Sequence, residues 1–220
     1  MHITPETIRA NEDIRVYIAC ADESMKAMGY TEHSFAHVTK VAEEAKRLLQ
    51  AFGADARTQE LGWIAGYMHD IGNVVNRADH AQSGAIMTFR ILDKLGMDSR
   101  ELAVVVTAIG NHDESTAYPV NAVAAALILA DKTDVRRSRV RYTDGHEFDI
   151  HDRVNYAVTT SRLDVNAGEK KITLHLTIDD QISSVADYFE IFLGRMLLSR
   201  KAAHKLGAEF SLFINGQMLM

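Results

Sequence analysis

His69 and Asp70 stand side by side in GYMHDIGN (66–73), at the end of an apolar run and just before a glycine. Imidazole nitrogens and carboxylate oxygens both bind divalent cations well, so metal chemistry is the first candidate. A solvated helix end is the ordinary alternative, with His69 as a favourable cation near the C-terminus. Asp70 speaks against it, because a carboxylate at that end opposes the helix dipole. A bound cation reverses the sign of that argument.

Other ligand-type residues fall on apolar faces. His37 shares a helical stripe with Val41, Ala45, Leu48 and Phe52, and His33 lies one turn earlier on the same side. His80 opens a stripe through Gly84, Met87, Ile91 and Leu95, where Gly84 should leave room beside the imidazole. His112 follows a helix carrying Leu102, Val105 and Val106, within AIGNHDES. Asp131 falls on the face of Val120, Ala124 and Leu127, at the end of the most apolar helix. An unpaired buried carboxylate is costly, so Asp131 must be protonated, paired or bound to a cation. Each residue alone admits a hydrogen-bonded core explanation. A shared divalent ion satisfies all of them at once, and the donor mixture suits Mn, Fe, Co, Ni or Zn better than Ca, with Mg also compatible. His2, His146, His151, His175 and His204 lie in polar surroundings and are expected in solvent.

The elements that must position these residues are mainly helical. Periodicity predicts helices near 5–28, 57–69, 80–95, 98–110 and 120–135, and another through Val38–Phe52 ended by Gly53. Pro119 suits the first turn of the helix near 120–135. After about residue 140 the pattern changes. TTSRLDV (159–165) and KITLHLTID (171–179) read as strands around a turn at NAGE (166–169). An amphipathic helix follows, with Val185, Phe189, Phe192, Leu193, Met196 and Leu197 on one side, and EFSLFING (209–216) reads as a closing strand. The expected architecture is α+β: a helical body over 1–140 and a small ββαβ lobe over 141–220 that could serve in dimerisation or regulation.

Composition bounds the rest. The 220 residues are 47% hydrophobic and 25% charged, enough for one well-buried core. A net charge of -6 gives no global basic field for a stable nucleic-acid partner or a lipid surface. The single cysteine, Cys20, fits a reducing cytoplasm, the polar N-terminus is not a secretory signal, and AVAAALILA (122–130) is too short to span a bilayer.

The order His37, His69-Asp70, Asp131, each on a different helix, resembles the HD-domain metal-dependent phosphohydrolase superfamily. The matching segments are HSFAHVTKVA (33–42), MHDIGN (68–73) and ILADKTD (128–134). The resemblance covers roughly residues 30–135 and implies an HD-type helical bundle. By it, His37, His69, Asp70 and Asp131 hold a first metal. HAQSGAIMTFRIL (80–92) is similar to the H-x3-G segment of dinuclear members, and NHDE (111–114) resembles their His-His-Glu segment, with Asn111 in place of the first histidine. His80 and His112 would then ligate a second ion, with Asp70 bridging. Asn73 stands where HDIGK has lysine, and STAYPV follows NHDE where a GYP triplet would be, which speaks against cyclic-di-GMP hydrolysis.

The chemistry so implied is hydrolysis of a phosphate mono- or diester, of a nucleotide or another small phosphorylated molecule, by metal-activated water. DVRRSRVRY (134–142) offers Arg136, Arg137, Arg139 and Arg141 as phosphate ligands, one of which is expected to reach the site. Lys132, Asp134 and His33 are candidate proton carriers or supporting charges beside Asp70. Two other functions fit the same residues: a di-iron oxygenase of the same superfamily, and a non-catalytic nucleotide sensor.

Overall fold

The computed structural model describes residues 2–141 and 149–220. His146 lies outside the described residues. The chain begins with α1 (Pro5–Ala10) and α2 (Glu12–Ala27). The sequence predicts one helix here, but Asn11 divides it. Its backbone is extended and its side chain accepts from the Ile14 N–H at 3.0 Å, so it caps the second helix. Next come α3 (Phe35–Ala51), α4 (Ala56–Met68), a 3-10 turn (Ile71–Val74), α5 (His80–Lys94), α6 (Ser99–Gly110) and α7 (Ala122–Lys132). Pro119 lies outside α7, whose N-cap is Asn121, accepting from Ala124 N at 2.8 Å. Val120 is exposed rather than on the buried face of α7.

A second 3-10 turn (Arg137–Arg139) leads towards α8 (Ile150–Ala157), a helix the sequence reading did not assign. Strands β1 (Val158–Asn166) and β2 (Lys171–Ile178) form the expected antiparallel hairpin. Helix α9 (Val185–Lys205) crosses over to β3 (Glu209–Ile214), which pairs with β2 in parallel. The expected third strand stops at Ile214. Asn215 and Gly216 both take positive φ and turn the chain into β4 (Gln217–Met218), giving the sheet order β1-β2-β3-β4.

Helix α7 is the axis of the body: Val123 to Ala130 are all buried, and α3, α4, α6 and α9 pack around it. Apolar residues of the helical body and of the sheet join one continuous core cluster. Helix α9 turns Tyr188, Phe192, Met196 and Ser199 inward. Leu193 and Leu197, expected on that face, are 45% and 37% exposed, because the buried stripe runs one residue to the side of them.

Two close backbone approaches set where the site forms. A Cβ on Gly66 would lie 2.7 Å from the Ala42 Cα, so only glycine lets α4 sit this close to α3. A Cβ on Gly72 would lie 2.0 Å from the His80 carbonyl oxygen and 2.4 Å from the Gly84 nitrogen. Gly84 thus serves the packing of α5 against the 69–72 backbone rather than making room for the His80 ring.

Candidate metal centre

Helix ends converge on the site. His37 lies in the first turn of α3 and His80 begins α5, while His69, His112 and Asp131 come from the C-terminal ends of α4, α6 and α7. Carboxyl-terminal helix ends carry partial negative charge and favour a cation between them. Five imidazoles form a continuous edge-to-face row in the order His33, His37, His69, His112, His80, with ring centroids 5.0–5.6 Å apart.

Each ring is held by its Nδ1. That atom donates to a carbonyl in His33 (Thr31, 2.6 Å), His69 (Gly66, 2.7 Å), His80 (Arg77, 3.0 Å) and His112 (Ile109, 2.6 Å), and to the Asp134 carboxylate in His37 (2.8 Å). Such partners fix the tautomer and leave Nε2 as the ligand atom. The Nε2 atoms of His37 and His69 are buried without a hydrogen-bond partner, a costly state for polar atoms. They lie 3.5 and 3.2 Å from Asp70 Oδ2, and 3.4 and 3.7 Å from Asp131 Oδ1. Two donors each about 2.1 Å from one ion at tetrahedral angles lie about 3.4 Å apart, so the spacing suits a single divalent ion.

Asp70 turns its other oxygen to a second group: Oδ1 is 3.6 Å from His80 Nε2 and 4.0 Å from His112 Nε2. The sets His37–His69–Asp70, His69–His112–Asp131 and Asp70–His80–His112 each have the compactness of a metal site. The residues therefore fit one ion or two.

Electrostatics agree with the geometry. Burial works to raise the Asp70 pKa but is outweighed by His69, His33 and His37, which hold it well below the usual carboxylate range. Asp131 is lowered likewise, against burial, by Lys132, His37 and His69. Burial pushes His112 down to about 3, with His69 and Lys132 adding to the effect. His33 and His80 are also lowered, chiefly by burial, so these rings stay neutral and able to ligate.

A cavity of about 240 Å³ opens beside the cluster, and His33, Asp70, His80, Asp131 and Lys132 line it. Of the four arginines in the 136–141 run, Arg139 reaches it. Arg136 binds Asp134 and Ser138, Arg137 binds the Tyr156 carbonyl over that residue's ring, and Arg141 binds Asp22. Asp134 faces away from the cavity and holds His37, Lys40 and Arg136. Lys132 joins Asp131 (2.8 Å) to Glu114 (2.6 Å), and Glu114 binds Arg195 of α9 at 2.8 Å.

Several lining residues escaped the sequence reading. Arg77, Glu114 and Arg195 all face the cavity, and Asp113 lies 4.0 Å from His80. Arg195 had a signal, because it sits three residues after the buried Phe192 in an apolar helix. Arg77 had none that set it apart from a surface loop. His151, expected in solvent, is exposed but lines the cavity mouth. His2 and His204 are exposed, and His175 is half-buried, stacked on Phe213.

An HD domain model matches residues 32–191, most of the chain and well past the helices that carry the motifs. The chain belongs to the HD-domain family. Among relatives, it is 25% identical over 186 residues to the uncharacterized protein MJ1020 of Methanocaldococcus jannaschii, covering 74% of this chain and 70% of that one. A crystal structure of a predicted HD superfamily hydrolase from an uncultured Thermotogales bacterium matches with a TM-score of 0.44 at 24% identity, over 62% of this chain and 75% of that one. Among the described residues of this HD protein, no helix is long and apolar enough to cross a membrane.

Proposed function

We propose that this HD protein hydrolyses a phosphate mono- or diester of a small molecule at a centre of one or two divalent transition-metal ions. One observation carries the reading: Asp70, His80 and Asp131 of the His–Asp cluster line a single cavity together with the cations Arg77, Lys132, Arg139 and Arg195. Ligands alone would fit many metal proteins. Ligands beside several cations suit an anionic substrate that gains charge as it reacts.

A divalent ion there supplies acidified water and draws charge from phosphoryl oxygens. The chain does the rest. His37, His69, Asp70 and Asp131 hold the first ion, while His80, His112 and the second oxygen of Asp70 can hold another. Lys132 stays protonated despite burial, because Asp131 and Glu114 raise its pKa, so it offers positive charge to the phosphate. Arg139, held by the Glu32 and Asp134 carbonyls through Nε and Nη1, adds positive charge. His33 spends its Nδ1–H on the Thr31 carbonyl and lines the cavity, where its Nε2 lone pair can accept a hydrogen bond from the attacking water.

The test is elemental analysis of the purified protein, followed by a phosphoester panel with Mn, Co, Ni, Zn and Mg. Ester hydrolysis should require the metal and vanish in His69→Ala, which should keep its helical fold. Metal-loaded protein that cleaves no ester would end this reading. Oxygen uptake by an iron-loaded form would replace it with oxygenase chemistry.

A further inference from the structure

Asp70 serves two half-sites that are furnished differently. On the Oδ2 side, the Nε2 atoms of His37 and His69 have no hydrogen-bond partner. On the Oδ1 side, the Nε2 atoms of His80 and His112 are 3.2 Å apart, and both rings spend Nδ1–H on carbonyls. Two lone pairs therefore converge there, as ligands of a second ion would. This side already has company. Asn73 Nδ2 donates to Asp70 Oδ1 at 2.9 Å, and an Arg77 guanidinium nitrogen lies 3.3 Å from His80 Nε2 and 3.4 Å from Asn73 Oδ1.

A guanidinium is charged at all accessible pH, and at this range it opposes any cation placed between His80, His112 and Asp70. Arg77 is also weakly tied. Lys132 and Arg195 share Glu114, whereas no carboxylate lies within ion-pair distance of Arg77 among the described residues. Its contacts are Asn73, His80 and the Tyr30 ring at 5.8 Å, all exchangeable for a phosphate oxygen in the cavity it lines.

We infer that Arg77 alternates between His80 and a substrate phosphate, so that substrate binding and occupancy of the second half-site are positively coupled. The inference rests on the metal-centre reading above. Phosphate draws the guanidinium off His80 and frees its Nε2. By linkage, the second ion must strengthen phosphate binding by the same factor.

Calorimetric Mn2+ titration with and without inorganic phosphate, together with EPR detection of spin-coupled Mn2+ pairs, tests this. The unmodified protein should bind one ion tightly and a second at least about ten-fold more weakly, with phosphate closing the gap about ten-fold. Arg77→Gln should bind the second ion about ten-fold more tightly without phosphate and lose the coupling. Tight first-ion binding in that variant reports an intact fold. Arg77→Lys, which keeps the charge, should keep the second ion weak. Equal affinities in the unmodified protein, or an unchanged second ion in Arg77→Gln, would overturn the inference. Absence of ester turnover with the coupling intact would support it and remove only the proposed reaction, whereas failure to bind any ion would overturn both.

Discussion

The Asp134 carboxylate accepts a hydrogen bond from His37 Nδ1 at 2.8 Å, and neither side chain is accessible to solvent. A carboxylate in this position orients the ring and strengthens the opposite nitrogen as a ligand. Asp134→Asn keeps the shape and removes the charge, so metal affinity should fall about 10–100-fold. Competition against a chromophoric chelator measures it, and unchanged affinity would separate Asp134 from the metal centre.

Protons and metal compete at His69. Burial disfavours the imidazolium, but Asp70 and Asp131 outweigh it and raise the pKa to about 10. An incoming ion must therefore displace a proton near neutrality, and affinity should rise with pH between 6 and 8. Titration in buffers of different ionisation heat should show proton release. For chelator-treated protein the sign is opposite. A folded pKa above the ordinary histidine value of 6.5 gives stability that is full below 6.5 and lost as pH climbs towards 10. A flat affinity profile would contradict this account.

Gly72→Ala forces a methyl group into the His80 carbonyl and the Gly84 backbone, neither of which can rotate away. Thermal or urea denaturation should show a loss of about 1–3 kcal/mol or more. Gly84→Ala should cost less, since its nearest neighbour, the His69 carbonyl oxygen, would be 3.1 Å from the new Cβ.

Gly194→Ala should act in the opposite direction. Gly194 lies exposed within α9, and a Cβ there meets nothing within 4 Å. Helix propensity alone then predicts a gain of about 0.8–1.0 kcal/mol, read from the denaturation midpoint.

The sequence foretells a good deal of this. His37 was legible because a helical stripe carried it inward, and Asp131 because it ended the most apolar helix in the chain. Long-range partners were not legible. Nothing local tells Glu114 that it will meet both Lys132 and Arg195, or separates Arg139 from its neighbours in an arginine-rich run. Helix α8 had a stripe, Ile150, Val154 and Ala157, but only two turns of it. Leu193 and Leu197 show the converse limit: periodicity gives the centre of a buried stripe, while the shape of the neighbouring surface decides its width.

Helix α7 is sheathed on one side by α3 and α4 and on another by α9, which lies more than fifty residues further along the chain. As the polypeptide is made from its N-terminus, α7 must wait half-uncovered for residues 185–205 to arrive. Lys132 reaches Arg195 through Glu114 only at that moment. Every candidate ligand, from His37 to Asp131, is thus made before the cationic wall of the cavity, which α9 completes only in the last stages of folding.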